Sequence, residues 1–260
     1  MQKIVSWNVN GIRAAHKKGL LDFVRQESPD ILCLQETKAH PDQLPGELKQ
    51  ALGYHTSYSS AVRRGYSGVA VWSRHQPTDV RTMGLPEFDD EGRVLIIDYP
   101  AVNGSQELTV INAYFPNSQE AGKRLDYKLA FCAAMLDICN EITASGRNLV
   151  LCGDYNIAHT PIDLANPERN TENPGYLPEE RAWMDSFLAA GYIDTFRLFT
   201  PDGGHYTWWS YRFGARERNI GWRIDYHCVN PSLRDRVHSS VILPEIMGSD
   251  HCPIRLELDS

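Results

Sequence analysis

Apolar residues along this chain fall into short runs separated by polar or glycine-containing breaks, and the runs follow two periods. Continuous or alternating apolar runs at Ile4–Val9, Ile31–Gln35, Val69–Trp72, Val94–Tyr99, Leu108–Tyr114, Leu149–Cys152, Tyr206–Ser210, Ile224–Val229, Val237–Ile242 and Pro253–Leu258 predict strands. Three-to-four spacing predicts helices over Ala14–Gln26, Gln43–Leu52, Gln119–Thr143 and Glu179–Ala190. In the longest of these, Leu125, Leu129, Cys132, Leu136 and Cys139 form a stripe expected to face a sheet. Strands outnumber helices and no Gly/Ser/Pro-rich linker divides the chain. The pattern therefore predicts a single α/β domain over residues 1–260, a sandwich with sheets inside and helices outside. The longest irregular stretch, Thr160 to Pro178, is rich in Asn and Pro, and loops of that length are usually functional or disordered.

The ends of the strands carry the chemistry. In the segment NLVLCGDYNIAH, Leu149 to Cys152 reads as a buried strand, Gly153 breaks it, and Asp154 and Asn156 follow two residues apart. Alternate residues of extended backbone point the same way. A proton-accepting carboxylate and a hydrogen-bond-donating carboxamide would therefore project together. A polar turn explains this one segment equally well. The same ending recurs, however: Asn8 and Asn10 after the first run, Gln35-Glu36 after the second, then Asn112, Tyr114 and Asn117. Asp225 lies in the Trp222–Val229 segment, and Gly248-Ser249-Asp250-His251 leads into the last strand. Polar groups gathered at strand ends are where α/β sheets bind ligands.

Composition narrows the reading less than pattern does. The net charge of −7 argues mildly against a nucleic-acid partner, but the basic residues are clumped. Arg212, Arg216, Arg218 and Arg223 are interleaved with Trp208, Trp209, Tyr211, Phe213 and Trp222, the mixture that tracks phosphates and stacks bases. None of the six cysteines forms a C-x-x-C pair and most sit in apolar runs, so buried reduced thiols are expected rather than zinc ligands or disulfides. No apolar segment approaches membrane-spanning length, and the chain opens on a strand pattern rather than a signal peptide. A soluble, cytoplasmic protein is the expectation.

Glu36, Asn10 and Asp250 are hard oxygen ligands, too few for a calcium cage and suited to Mg²⁺ that keeps several waters and shares a substrate phosphate. His251, beside Asp250 and with Asp225 available from another strand, predicts a carboxylate-oriented imidazole. A metal, a water-activating carboxylate, an oriented histidine and amide or phenol donors are together what phosphodiester hydrolysis needs.

At this point the chain resembles the exonuclease III family of apurinic/apyrimidinic (AP) endonucleases, within the endonuclease/exonuclease/phosphatase superfamily that includes deoxyribonuclease I. The segments that carry the resemblance are SWNVNGIRA, LQETK, NAYFPN, GDYNIAH, NPERNTENPGYLPEER, YTWW, GWRIDY and GSDHCP, in family order and over almost the whole chain. The resemblance implies a four-layer αββα sandwich, two packed mixed β-sheets flanked by helices, with the site at one edge of the paired sheets. It implies that Glu36 is the principal Mg²⁺ ligand, with Mn²⁺ as a substitute ion, and that Asn10 and Asp250 lie near the metal. Asp154 would orient or deprotonate the attacking water, and Asn156 would contact the phosphate. His251, paired with Asp225, and Tyr114 would contact it from opposite walls, with Asn8 holding the centre together. Whether Asp154, His251 or a metal-bound hydroxide is the base stays open.

The same resemblance assigns DNA contacts to Asn170 and Asn173, to which the strand-end Asn117 and the clustered Arg212 are added as candidates, and makes Trp208, Trp222 and Ile224 the apolar pocket for a flipped-out, base-free deoxyribose. The implied partner is damaged double-stranded DNA, met by a monomer and away from membranes. Some relatives insert an arginine into the duplex near the position of Gln119 and Glu120, which this chain lacks. It also carries Asn10 where some members have Asp, and no redox-regulatory extension is expected before the fold. A relative acting mainly as a 3′–5′ exonuclease or 3′-phosphatase fits the same segments, whereas the Trp208/Trp222 pocket and the Asn-rich loop argue against a phosphoesterase for a non-DNA substrate.

Overall fold

A strand in which every residue is buried needs cover on both faces, and several strands of this chain read that way from end to end. The computed structural model describes residues 1–101 and 107–259. Its elements are β1 (Gln2–Asn8), α1 (Ile12–Lys17), α2 (Leu20–Glu27), β2 (Ile31–Gln35), α3 (Gly46–Gln50), β3 (His55–Ser59), β4 (Val69–Ser73), β5 (Asp79–Arg81), α4 (Pro86–Asp89), β6 (Val94–Tyr99), β7 (Leu108–Tyr114), α5 (Leu125–Ala144), β8 (Asn148–Asp154), α6 (Pro178–Ala189), β9 (Ile193–Asp194), β10 (Trp208–Trp209), β11 (Gly221–Trp222), β12 (Asp225–Val229), β13 (Val237–Ile242) and β14 (Ile254–Leu258).

Two six-stranded mixed sheets result, ordered β13-β14-β1-β2-β4-β3 and β5-β6-β7-β8-β12-β9, with β10 and β11 forming a separate ribbon. Between the sheets lies an apolar layer that includes Ile4, Cys33, Val71, Ile97, Val110, Val150 and Leu256. Outside the first sheet, Ile12, Leu20 and Val24 of α1 and α2 cover Trp7, Leu34 and Trp72. Outside the second, Phe131, Met135 and Cys139 of α5 and Met184 and Phe187 of α6 cover Ile111, Leu151 and Cys228. The four layers αββα are those expected. All six cysteines are buried free thiols, and no helix among the described residues is long and apolar enough to cross a membrane.

Several elements differ from expectation, each for a local reason. The helix expected over 14–26 is two, because Gly19 adopts φ +98 and turns the chain between them. The helix expected from Gln119 starts at Leu125; a short 3₁₀ turn at Glu120–Gly122 with Ala121 at φ +57 precedes it. Its buried face is centred on Lys128, Phe131, Met135 and Ile142 rather than on Leu125 and Leu129, since a lysine at a core position disguises the apolar stripe. The stretch 160–178 is ordered by two 3₁₀ turns, Pro161–Asp163 and Pro167–Arg169. Strand β8 runs past Cys152 to Asp154, so the aspartate is a strand residue and not part of a turn. Gly153 permits this: at φ +134, an ideal Cβ there would lie 1.9 Å from the carbonyl oxygen of Ala113 on the neighbouring β7.

Candidate active site

The site is built where the ends of both sheets meet. Parallel pairing sets Asn8 of β1 opposite Gln35 of β2, with Glu36 next in line. In the other sheet, register sets Tyr114 of β7 and Asp225 of β12 on either side of Asp154. A buried amide pair ties the sheets together at this end. Gln35 Nε2 donates to Asn112 Oδ1 at 2.7 Å, while Asn112 Nδ2 donates to the carbonyls of Leu34 and Ala70.

Asn8 is the hinge of the centre. Its fully buried amide donates to Glu36 Oε1 and to Asp154 Oδ2, each at 2.9 Å, so one side chain joins a carboxylate of each sheet. Two like turns shape the loops. The N–H of Asn10 donates to Asn8 Oδ1 (3.0 Å) and that of Asn156 to Asp154 Oδ1 (2.8 Å), with Asn10 and Asn156 at φ +45 and +51. Asn tolerates this left-handed region by bonding its neighbours. The backbone therefore leaves the extended form expected at 154–156, yet the Asn156 amide still faces Asp154. Its Nδ2 donates to Phe115 O (2.9 Å), and its Oδ1 accepts from Asn117 Nδ2 (3.2 Å).

His251 Nδ1 lies 2.9 Å from Asp225 Oδ2, the oriented imidazole the sequence predicts, and its Nε2 lies 3.8 Å from Asp154 Oδ2. The indole of Trp7 holds the His251 carbonyl at 3.1 Å. Burial alone would lower the imidazole, but the Asp225 and Asp154 charges outweigh it and raise its pKa to about 10. Asp154 is pushed up to about 7 by burial, His251 pulling it back and Asp225 and Glu36 adding repulsion. Burial raises Tyr114 well above its ordinary value, helped by the Glu36 and Asp154 charges, so it remains a phenol donor. Burial also favours a protonated Glu36, but Lys38 and the Asn8 amide more than offset it and hold the carboxyl below its usual range.

Lys38, which sequence reasoning passed over, sits with its ammonium 2.7 Å from Glu36 Oε2 and donates to Asn10 Oδ1. Two of the expected metal ligands thus converge on one positive charge, which fits a cation site built of hard oxygens. Ligand atoms of Glu36, Asp154 and His251 all lie within 4.8 Å of one another. Asp250 is not in that group. Its carboxylate accepts from Asn10 Nδ2 (2.9 Å), Ser249 Oγ (3.2 Å) and Trp208 Nε1 (3.1 Å). It stays ionised, because His251, Asn10 and Trp208 outweigh its burial.

Next to the centre is a cavity of about 410 Å³ lined by Trp208, Trp222, Asn170, Arg212, Phe213 and Arg218, among others. Trp208 and Trp222 meet edge to face with ring centroids 6.4 Å apart, and Tyr176 does the same to the far side of Trp222. Ile224 backs them with Leu164 and Ala158. Asn173 is exposed and reaches this wall by donating to Asn170 Oδ1 at 2.7 Å. The expected arginine cluster splits. Arg212 and Arg218 face the cavity, whereas Arg223 is fully buried between Asp163 and Asp194, 2.7 Å from each. Arg216 is spent on the carbonyls of Pro244, Ile246 and Ser249.

A family model described as the Endonuclease/Exonuclease/phosphatase family matches residues 5–251. An exodeoxyribonuclease of Bacillus subtilis (strain 168) is 43% identical over 257 residues, 98% of each chain. The DNA repair nuclease APEX1 of Danio rerio is 42% identical over 260 residues, covering 98% of this chain and 82% of the relative. Among solved structures, the AP endonuclease LMAP from Leishmania major superimposes with a TM-score of 0.88 at 30% identity, over 100% of this chain and 88% of that one. With its two six-stranded sheets meeting at one polar edge, the chain belongs to the endonuclease/exonuclease/phosphatase family.

Proposed function

We propose that the chain is a Mg²⁺-dependent DNA-repair endonuclease that hydrolyses the phosphodiester 5′ of an abasic site in duplex DNA. One observation carries this: Trp208 belongs to both the apolar cavity and the charged centre. Its backbone bridges to His251, its indole donates to Asp250, and its ring forms an edge of the cavity with Trp222. A sugar seated in the cavity against the two indoles would put its phosphate beside His251. A bare sugar fits such a walled pocket, and a nucleotide still carrying its base does not.

Each side chain then has a task. Asp154, with a carboxyl near neutrality, takes a proton from the attacking water. His251, held by Asp225 and protonated at neutral pH, donates to a phosphate oxygen as charge builds there, and the Tyr114 phenol donates from the other wall. Glu36, with Asn10 and Asp250 beside it, would hold the Mg²⁺, which supplies charge neutralisation at the phosphate and the leaving oxygen. Asn8 keeps Glu36 and Asp154 in mutual register.

The Bacillus relative, named an exodeoxyribonuclease, favours a second reading in which removal of nucleotides or phosphates from 3′ ends dominates. The test is incision of a duplex with a single abasic analogue, with and without EDTA, beside 3′-phosphate and intact 3′-end duplexes. Fast abasic incision that stops with EDTA and returns with Mg²⁺, and a raised Mg²⁺ requirement in Glu36→Gln, is the expected result. Faster turnover of either 3′-end substrate would replace the first reading with the second.

A further inference from the structure

Residues alternate along β12. Tyr226 and Cys228 face the helices α5 and α6, while Val229 joins the apolar layer between the sheets, so Asp225 and His227 also face inward. Asp225 spends one oxygen, Oδ2, on His251. Its other oxygen, Oδ1, is buried with no protein partner, as are both ring nitrogens of His227 and Nη1 of Arg223. These three side chains are at most 3% exposed. An orphaned buried polar atom loses its hydration without replacement, so a cluster of them behind His251 demands a reason.

The three residues line one small cavity between the sheets, together with Ser240 and Ile254. It offers about 10 Å³ to the centre of a water molecule, close to the minimum that one water requires, and it supplies the polar partners a buried water needs. We propose that His227 is a positioning residue for the Asp225–His251 pair, acting through one buried water held by its ring, by the free oxygen of Asp225 and by the guanidinium of Arg223.

The chemistry is complementary. Burial keeps the His227 ring neutral, pushing its pKa down to about 3, so it offers one N–H and one lone pair. The guanidinium can only donate and the carboxylate can only accept. A water accepting from Arg223 Nη1 and from the one N–H of His227, and donating to Asp225 Oδ1, satisfies one unpartnered atom on each of the three side chains. That bond fixes the carboxylate plane and, through Oδ2, the direction in which the His251 ring points. Outer partners of this kind set ring orientation in the same way around ligating histidines.

The role in turnover rests on reading His251 as the phosphate donor; the water and its effect on the His251 ring do not. A crystal structure at atomic resolution should therefore show a water within hydrogen-bond distance of a His227 ring nitrogen and Asp225 Oδ1. Clear density for the side chains with none between them overturns the proposal. In solution, His227→Leu should shift the low-field proton resonance of His251 Nδ1–H and lower kcat for abasic incision about tenfold with little change in KM. His227→Gln, which keeps a polar atom toward the water, should recover most of both. An unmoved resonance in a folded Leu variant also overturns the proposal. If the Leu variant does not fold, the Gln variant and the crystal structure decide. A wild-type protein inactive on abasic DNA would sink the proposed function and leave the crystallographic and resonance tests standing.

Discussion

Lys128 and Glu180 form an ion pair in which neither side chain has any exposed surface, Nζ lying 2.7 Å from Oε1. The same ammonium donates to the Asn156 carbonyl at 2.6 Å. The second Glu180 oxygen accepts from the N–H groups of Gly175 and Leu177 at 2.7 and 3.0 Å. One pair therefore clamps α5, α6, the turn after Asp154 and the end of the Asn-rich loop. Removing one member of a buried pair strands the other charge and typically costs about 3–5 kcal/mol. Lys128→Met should lose stability on that scale in urea unfolding. A loss below about 1 kcal/mol, within the range of an exposed pair, would show that the interior relaxes around Glu180 and that the clamp is not needed.

Asp163 predicts a pH dependence. Burial favours its neutral form, but Arg223 and Arg197 outweigh that and hold its pKa down to about 2. In the unfolded chain an aspartate titrates near 3.9. The folded value is the lower one, so the contribution is present above about pH 4 and is lost as pH falls toward 2. Asp163→Asn should unfold at a lower temperature at pH 7 and show a shallower decline than wild type between pH 4 and 2. Parallel curves in that window would remove Asp163 as a source of acid lability.

Trp222 tests where selectivity resides. It is half-buried and stands between Trp208 and Tyr176. Trp222→Ala should reduce the preference for abasic over intact DNA by about tenfold, the scale on which pocket shape discriminates. Thermal unfolding measured alongside separates wall from packing. A strongly destabilised variant with undiminished selectivity would mean that the indole is only core.

The strand ends were legible in the sequence, and with them Glu36, Tyr114, Asp154, Asp225 and His251. An apolar run that stops at a polar residue places that residue at the edge of a sheet, whatever the sheet order. What escaped was set by partners distant in sequence. Lys38 is one residue past Thr37 in a loop, and only the fold brings it onto Glu36 and Asn10. Lys128 gave no signal and Arg223 read as part of a phosphate-tracking cluster, because the carboxylates that neutralise them lie 52 and 60 residues away. Strands β9 and β11 have two residues each, too few to show a period. Edge strand β3, HTSYS, is half-exposed and carries little apolar signal.

The place of His251 in the chain has a consequence for folding in time. Strand β14, which begins three residues after it, lies between β13 and β1 and pairs Gln2 with Leu258. Closing so distant a contact carries a large entropy cost and tends to be slow. Asn8, Glu36 and Asp154 can come into register before that step, but the imidazole arrives only with the final strand. Nuclease activity should therefore return after the bulk of the secondary structure when unfolded protein is diluted from denaturant, with strand incision and far-ultraviolet circular dichroism followed together. A chain still leaving the ribosome would hold Glu36 and Asp154 without Asp250 and His251, and be unable to cut.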